Sequence, residues 1–128
     1  MNPSLERVAK AWLIAWGISY IATAAFAPGI GGSSVEGAVV YSLLGAAILA
    51  AVACRTYTAH ARALVPSPIW IVGRWLLAIL GLIEVIGCVA SWTGLSMWNV
   101  PFANKEMFQV SMAAADLISA VFMFLLAE

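Results

Sequence analysis

Four apolar stretches, separated by three runs of turn-forming and polar residues, organise the chain. The stretches cover residues 11–27, 35–54, 69–91 and 107–127. Each approaches or meets the roughly 20 largely apolar residues that a helix needs to cross a hydrocarbon layer. None alternates apolar and polar positions with period two, which excludes a membrane β-barrel. Backbone in lipid must satisfy its own hydrogen bonds, and helices remain as the spanning form. The breaks carry turn chemistry: "PGIGGSS" at 28–34 and "HARALVPSP" at 60–68, with a longer "WTGLSMWNVPFANKE" at 92–106. The pattern predicts an all-α fold, an integral membrane four-helix bundle with up-down-up-down antiparallel topology, in a single transmembrane domain over residues 1–128. The first stretch has the basic start and the "ATA" of a signal peptide. Its apolar run is long for such a segment, and Val8 and Ala9 are available to lengthen it, so it is read as a retained helix.

Composition sharpens this picture. Of 128 residues, 64% are hydrophobic and 9% charged, against about 25% charged in soluble domains. In water, so short a chain would expose more apolar surface than monomers tolerate. The six basic and six acidic residues cancel, so no basic surface draws nucleic acid. The distribution of the basic residues is uneven. Arg7 and Lys10 precede the first stretch, and Arg55, Arg62 and Arg74 surround the second connection. The first connection has none and the third only Lys105. Both termini and the second connection are therefore expected on the cytoplasmic side, with the arginine collar facing anionic headgroups.

Several familiar chemistries find no support. Cys54 and Cys88 sit in apolar stretches without CxxC or CxxH spacing and are read as packing residues. His60 is the only histidine, so one chain cannot supply bis-histidine haem ligation. HExxH, glycine-rich phosphate-loop and nucleophile-elbow motifs are missing from the sequence. No metal and no cofactor is expected.

Two acids lie well inside the apolar stretches: Glu84, at the middle of "LLAILGLIEVIGCVAS" (76–91), and Asp116 in the fourth, while Glu36 stands at the mouth of the second. A charge at the bilayer centre costs about 2.5–3.5 kcal/mol on the insertion scale, so each should turn inward, pair or hold a proton. Counting 1.5 Å per residue puts Glu84 about 8 Å and Asp116 about 14 Å below the outer edge, with Asp116 the deeper by about one turn. Neighbouring positions fit an inward direction. Gly81, Glu84, Gly87, Cys88 and Ser91 cluster on one side of the third helix, and Gln109, Met112, Asp116, Ser119 and Met123 form a stripe on the fourth. The first helix offers Trp12, Trp16, Tyr20 and Thr23 on one stripe, and the second offers Tyr41. Structural roles compete with functional ones. Arg74 has the reach for an ion pair with Asp116, and Glu84 for a packing hydrogen bond to Tyr20, Tyr41 or Ser91. Trp70, Trp92 and Trp98 suit interfacial belts. The segment 94–102 suits either an interfacial loop or a lid.

Three functional classes follow. The first is a small membrane enzyme that uses Glu84 and Asp116 as catalytic acid and base on a lipophilic small molecule, by isomerisation, cyclisation or epoxide opening. Tyr20, Tyr41, Trp16, Ser119, Gln109 and Trp98 would bind the substrate. The second is a proton-coupled exporter acting as a homo-oligomer. Small four-helix multidrug exporters match in length and span count, but their essential glutamate lies in the first span, where this chain has no intramembrane carboxylate. The third is an accessory or assembly subunit of a larger membrane complex. The bilayer is a partner in all three.

Overall fold

The computed structural model describes residues 2–26, 35–60, 68–92 and 105–127. They form four helices: α1 (Pro3–Phe26), α2 (Val35–His60), α3 (Pro68–Trp92) and α4 (Lys105–Leu126). The α1 start is dictated locally. Asn2 caps the helix, its Oδ1 accepting from the Ser4 N–H at 2.9 Å and its carbonyl from the Glu6 N–H at 3.0 Å. Pro3 follows at the first helical position, where its missing N–H costs nothing. The helix therefore begins eight residues before the apolar stretch. Likewise α2 runs six residues past 54. Both extensions are polar and meet each other: Arg55 Nε donates to Glu6 Oε1 at 3.2 Å, and Lys10 lies 3.4 Å from the same oxygen. The apolar pattern marked the greasy part of these helices rather than their ends. For α3 and α4 the two nearly coincide.

Three helices contain stretches long and apolar enough to cross a membrane: Pro3–Ala25, Gly37–Tyr57 and Pro68–Ala90. The described apolar part of α4, Val110–Leu126, is shorter and stands at the lower limit of what spans a bilayer.

The helices pack in a ring, α1 on α2, α2 on α3, α3 on α4 and α4 on α1. Neighbours are antiparallel. Glu6 meets Arg55 while Gly17 meets Gly45, and Gly81 meets Phe124 while Gly87 meets Asp116. The tightest approach is between α1 and α2, where a Cβ on Gly45 would stand 2.6 Å from the Gly17 carbonyl oxygen. Small residues permit such contact, and in lipid close packing is a main source of helix association.

Leu13, Ile48, Leu77, Met123 and Leu126 are fully buried, with Ala9, Ala51, Val52 and Leu80 around them. The outside is equally apolar: Ile18, Leu43, Val72, Trp75, Leu82 and Ile86 all face outward. Among the described residues, the buried polar or charged ones are Glu84, Asp116 and Ser119. Greasy outside and polar at the centre is an arrangement suited to lipid, since water would not tolerate the exposed surface.

Candidate functional site

A column of polar and aromatic side chains runs up the middle of the ring. On α1, Trp12, Trp16 and Tyr20 are spaced by four and share one face. That face points across the bundle to α3 and α4. Trp16 Nε1 donates to Glu84 Oε1 at 3.0 Å, and the Tyr20 hydroxyl donates to the same oxygen at 2.8 Å. One turn below, Trp12 Nε1 donates to Ser119 Oγ at 2.8 Å, and the Ser119 hydroxyl donates on to the Ala115 carbonyl at 2.8 Å. The rings form a continuous series. Trp12 stacks on Trp16 with centroids 6.4 Å apart, Trp16 meets Tyr20 edge-on at 5.6 Å, and Tyr20 stacks on Tyr41 of α2 at 5.5 Å.

Glu84 is only 2% exposed. Among the described residues, both donors that reach it use Oε1, and neither occupies Oε2. Asp116, 5% exposed, packs beside the bare backbone of Gly87: a Cβ there would lie 3.4 Å from Asp116 Oδ2. Gly87 is one turn beyond Glu84 on α3, so the two acids are close neighbours on adjacent helices.

Two expectations about Asp116 need correction. Its depth relative to Glu84 is inverted. Level with Gly87, it lies about 4.5 Å further toward the C-terminal end of α3 than Glu84 does, instead of about one turn the other way. The counting assumed span edges, whereas the register is set by α4 packing, with Phe124 against Gly81. The same register rules out the ion pair with Arg74. That residue is exposed and thirteen positions before Gly87 on α3, about 20 Å along the axis, beyond the reach of an arginine side chain. Arg55 lies 4.9 Å above the Trp70 ring.

The other sequence-derived site residues divide as follows. Tyr20, Trp16 and Ser119 lie in the central column, and Tyr41 flanks it. Gln109 belongs to α4, but its side chain lies outside the described residues, as do Trp98, the 94–102 segment and the Ser91 side chain. Thr23, assigned to the α1 stripe, turns to its own backbone and donates to the Ser19 carbonyl at 2.8 Å. Trp12 is the residue that sequence reasoning did not place in the site. Its signal was present: it precedes Trp16 by one turn, and Ser119 follows Asp116 by one turn. Among the described residues, no three His, Cys, Asp or Glu side chains converge as metal ligands.

Comparison with protein-family models, with curated proteins and with solved structures finds no match for this chain.

The arrangement has a definite chemical character. Two neutral donors meet one oxygen of a buried carboxylate, and neither reaches the other oxygen. A second carboxyl group lies close by on the next helix. Trp16, Tyr20 and Tyr41 beside this centre are half-buried.

Proposed function

We propose that this protein is a small integral membrane enzyme that moves a proton on a lipophilic small molecule, with Glu84 as base and Asp116 as acid. The observation that carries the reading is the double hydrogen bond to Glu84 Oε1. Donation from Trp16 and Tyr20 stabilises negative charge on the carboxylate and holds its free oxygen in one place. In an isomerisation, the substrate's C–H bond breaks and an O–H bond forms at Glu84 Oε2. Asp116 supplies a proton to a second carbon, and the two acids then re-equilibrate the proton between them. In a cyclisation, or in an epoxide opening by a group of the same molecule, Asp116 first protonates the alkene or the epoxide oxygen, the substrate's own π electrons or hydroxyl form the new bond as the C–O or π bond breaks, and Glu84 takes up the proton released. Supporting the orientation with cytoplasmic termini, Arg7 and Lys10 of α1, Arg55 of α2 and Arg74 of α3 gather at one end of the bundle.

Expression of the wild type, Glu84→Gln and Asp116→Asn in a host, followed by mass spectrometry of the lipophilic extract, tests this. A mass-conserving conversion is expected in the wild type. It should fall about 10²–10⁴-fold in each variant, the range for loss of a general acid or base, while circular dichroism and micelle elution stay unchanged. Full conversion by Glu84→Gln would end the enzymatic reading.

A second reading, a proton-coupled exporter working as an oligomer, is favoured by one observation: among the described residues Glu84 meets neutral donors and no cation.

A further inference from the structure

The helices meet along four seams, and glycines close three of them. An added Cβ would lie 2.6 Å from the Gly17 carbonyl oxygen at Gly45 (α1–α2), 2.9 Å from Cys54 Cβ at Gly73 (α2–α3) and 2.8 Å from the Phe124 ring at Gly81 (α3–α4). Packing this close leaves no passage beside those glycines. The α1–α4 seam is built differently. The α4 helix contains no glycine, and the one glycine of α1 faces α2. These are also the first and last helices, so no short connection ties them together. The Trp12 indole bridges them, donating to Ser119 Oγ at 2.8 Å and meeting the Phe122 ring edge-on at 6.2 Å. Large side chains at a contact hold helix axes apart.

The two sides of this bridge are unlike. Toward the end that holds Arg55, fully buried Leu13, Leu77, Met123 and Leu126 fill the interior. Toward the other end, α1 presents Trp16 and Tyr20, one and two turns beyond Trp12. On the stripe of α4 that carries Ser119, Ala115 and Met112 lie one and two turns beyond it. All four residues are half-buried. Trp16 and Tyr20 donate to Glu84 Oε1, so this part of the seam leads directly to the carboxylate. Ala115 is too small to block it, and Met112 has an unbranched side chain that changes rotamer easily.

We infer that a long-chain lipid enters the site sideways from the bilayer, between α1 and α4 on the side of the Trp12–Ser119 bridge away from Arg55, with Met112 as the residue that yields. This rests on the reading of Glu84 and Asp116 as acting on a lipophilic molecule, and it adds the route and the shape of that molecule. The packed interior beyond the bridge stops it from passing deeper. A reactive group at one end of the chain reaches the acids while the remainder stays between the helices and the bilayer. Such a slot suits a slender chain and excludes a compact polycyclic body.

The test is photolabelling of the full chain in phosphatidylcholine vesicles with neutral methyl octadecanoate bearing a diazirine at its chain end, the adducts being located by mass spectrometry. Carboxyl groups trap photolysed alkyl diazirines well. The inference expects adducts on Met112 and on Glu84 or Asp116, besides those on outward-facing Leu82 and Ile86. In Met112→Trp, which fills the slot, the adducts on the acids are lost and those on Leu82 and Ile86 remain. Ala114→Trp, which adds the same ring to the exposed face of α4, leaves all of them in place. Should Met112→Trp not fold, Ala115→Leu narrows the slot and expects the same loss. Acids that stay unlabelled in the wild type, or stay labelled in a folded slot variant, would overturn the route. Adamantane diazirine, a compact probe, tests the shape: if it labels the acids as fully as the ester does, the slender-chain claim fails and the route stands. The conversion assay keeps the two readings apart. Labelled acids without conversion count against the enzyme alone, and conversion with unlabelled acids counts against the route alone.

Discussion

At the scale of single residues, the account depends on which group donates to which oxygen. Tyr20→Phe removes one hydrogen bond to Glu84 Oε1 with almost no change of shape, and a loss of about 1 kcal/mol in bundle stability is expected. Combined with Glu84→Gln, the two changes should be non-additive, with a coupling of about 0.5–3 kcal/mol. Unfolding titrations in mixed micelles measure this, and simple additivity would mean that the contact contributes nothing. Trp12 and Ser119 form a second such pair, and Ser119 is one turn from Asp116. This pair acts on Glu84 only through the stacking of Trp12 on Trp16. Ser119→Ala should therefore cost stability yet leave the Trp16 contact in place. Glu84's inward direction and its reach to Tyr20 were legible in the sequence, because a lone acid in a greasy helix has few affordable positions. The Trp12 bond was not, because an indole near a span end suits an interfacial belt equally well.

At the scale of helices, glycines set how closely the elements approach, and they separate folding from function. A side chain at Gly45 meets α1 backbone at 2.6 Å and Ile21 Cγ1 at 2.7 Å. Gly45→Leu should push α1 from α2 and cost about 1–3 kcal/mol or more, as overpacking does. Gly87 is different. Its added Cβ would meet only the Asp116 carboxyl group, at 3.4 Å and 3.7 Å. Gly87→Ala should fold and work almost normally, because both distances are ordinary van der Waals contacts, whereas the longer side chain of Gly87→Leu should displace the Asp116 carboxylate and lower conversion. If Gly87→Leu folds and is fully active, the placing of Asp116 does not matter to the chemistry. The sequence made all four helices legible through their apolar runs. It did not reveal the register of α4 on α3, which decides that Asp116 sits beside Gly87. That register depends on how Phe124 and other side chains fit against Gly81, and composition carries no information about such fits.

At the scale of the whole molecule, the bundle has a polar end and a greasy shaft. Glu6, Lys10 and Arg55 join α1 to α2 at the polar end, and Arg55 over Trp70 ties in α3. With Cys54 and Cys88 replaced by Ala, a single cysteine at Ser4 should react with impermeant maleimide only after the inner face is opened, if this end is cytoplasmic. Labelling from outside intact cells would reverse the orientation and leave the bundle itself untouched. The inside-out distribution of polarity was legible from composition alone, because so apolar a chain can only place its few acids where lipid is absent. How the central column is wired was not legible, since it joins α1 to α3 across the ring, between residues 68 positions apart in the case of Trp16 and Glu84.

The most direct test of the central claim is the indole N–H signal of Trp16 in a nitrogen-15 spectrum of the protein in micelles, compared between the wild type and two variants. The Trp16 N–H is expected to lose its strong hydrogen-bond shift in Glu84→Ala and to keep it in Ser119→Ala. A Trp16 signal that is unchanged in Glu84→Ala would contradict the contact on which the proposed chemistry rests.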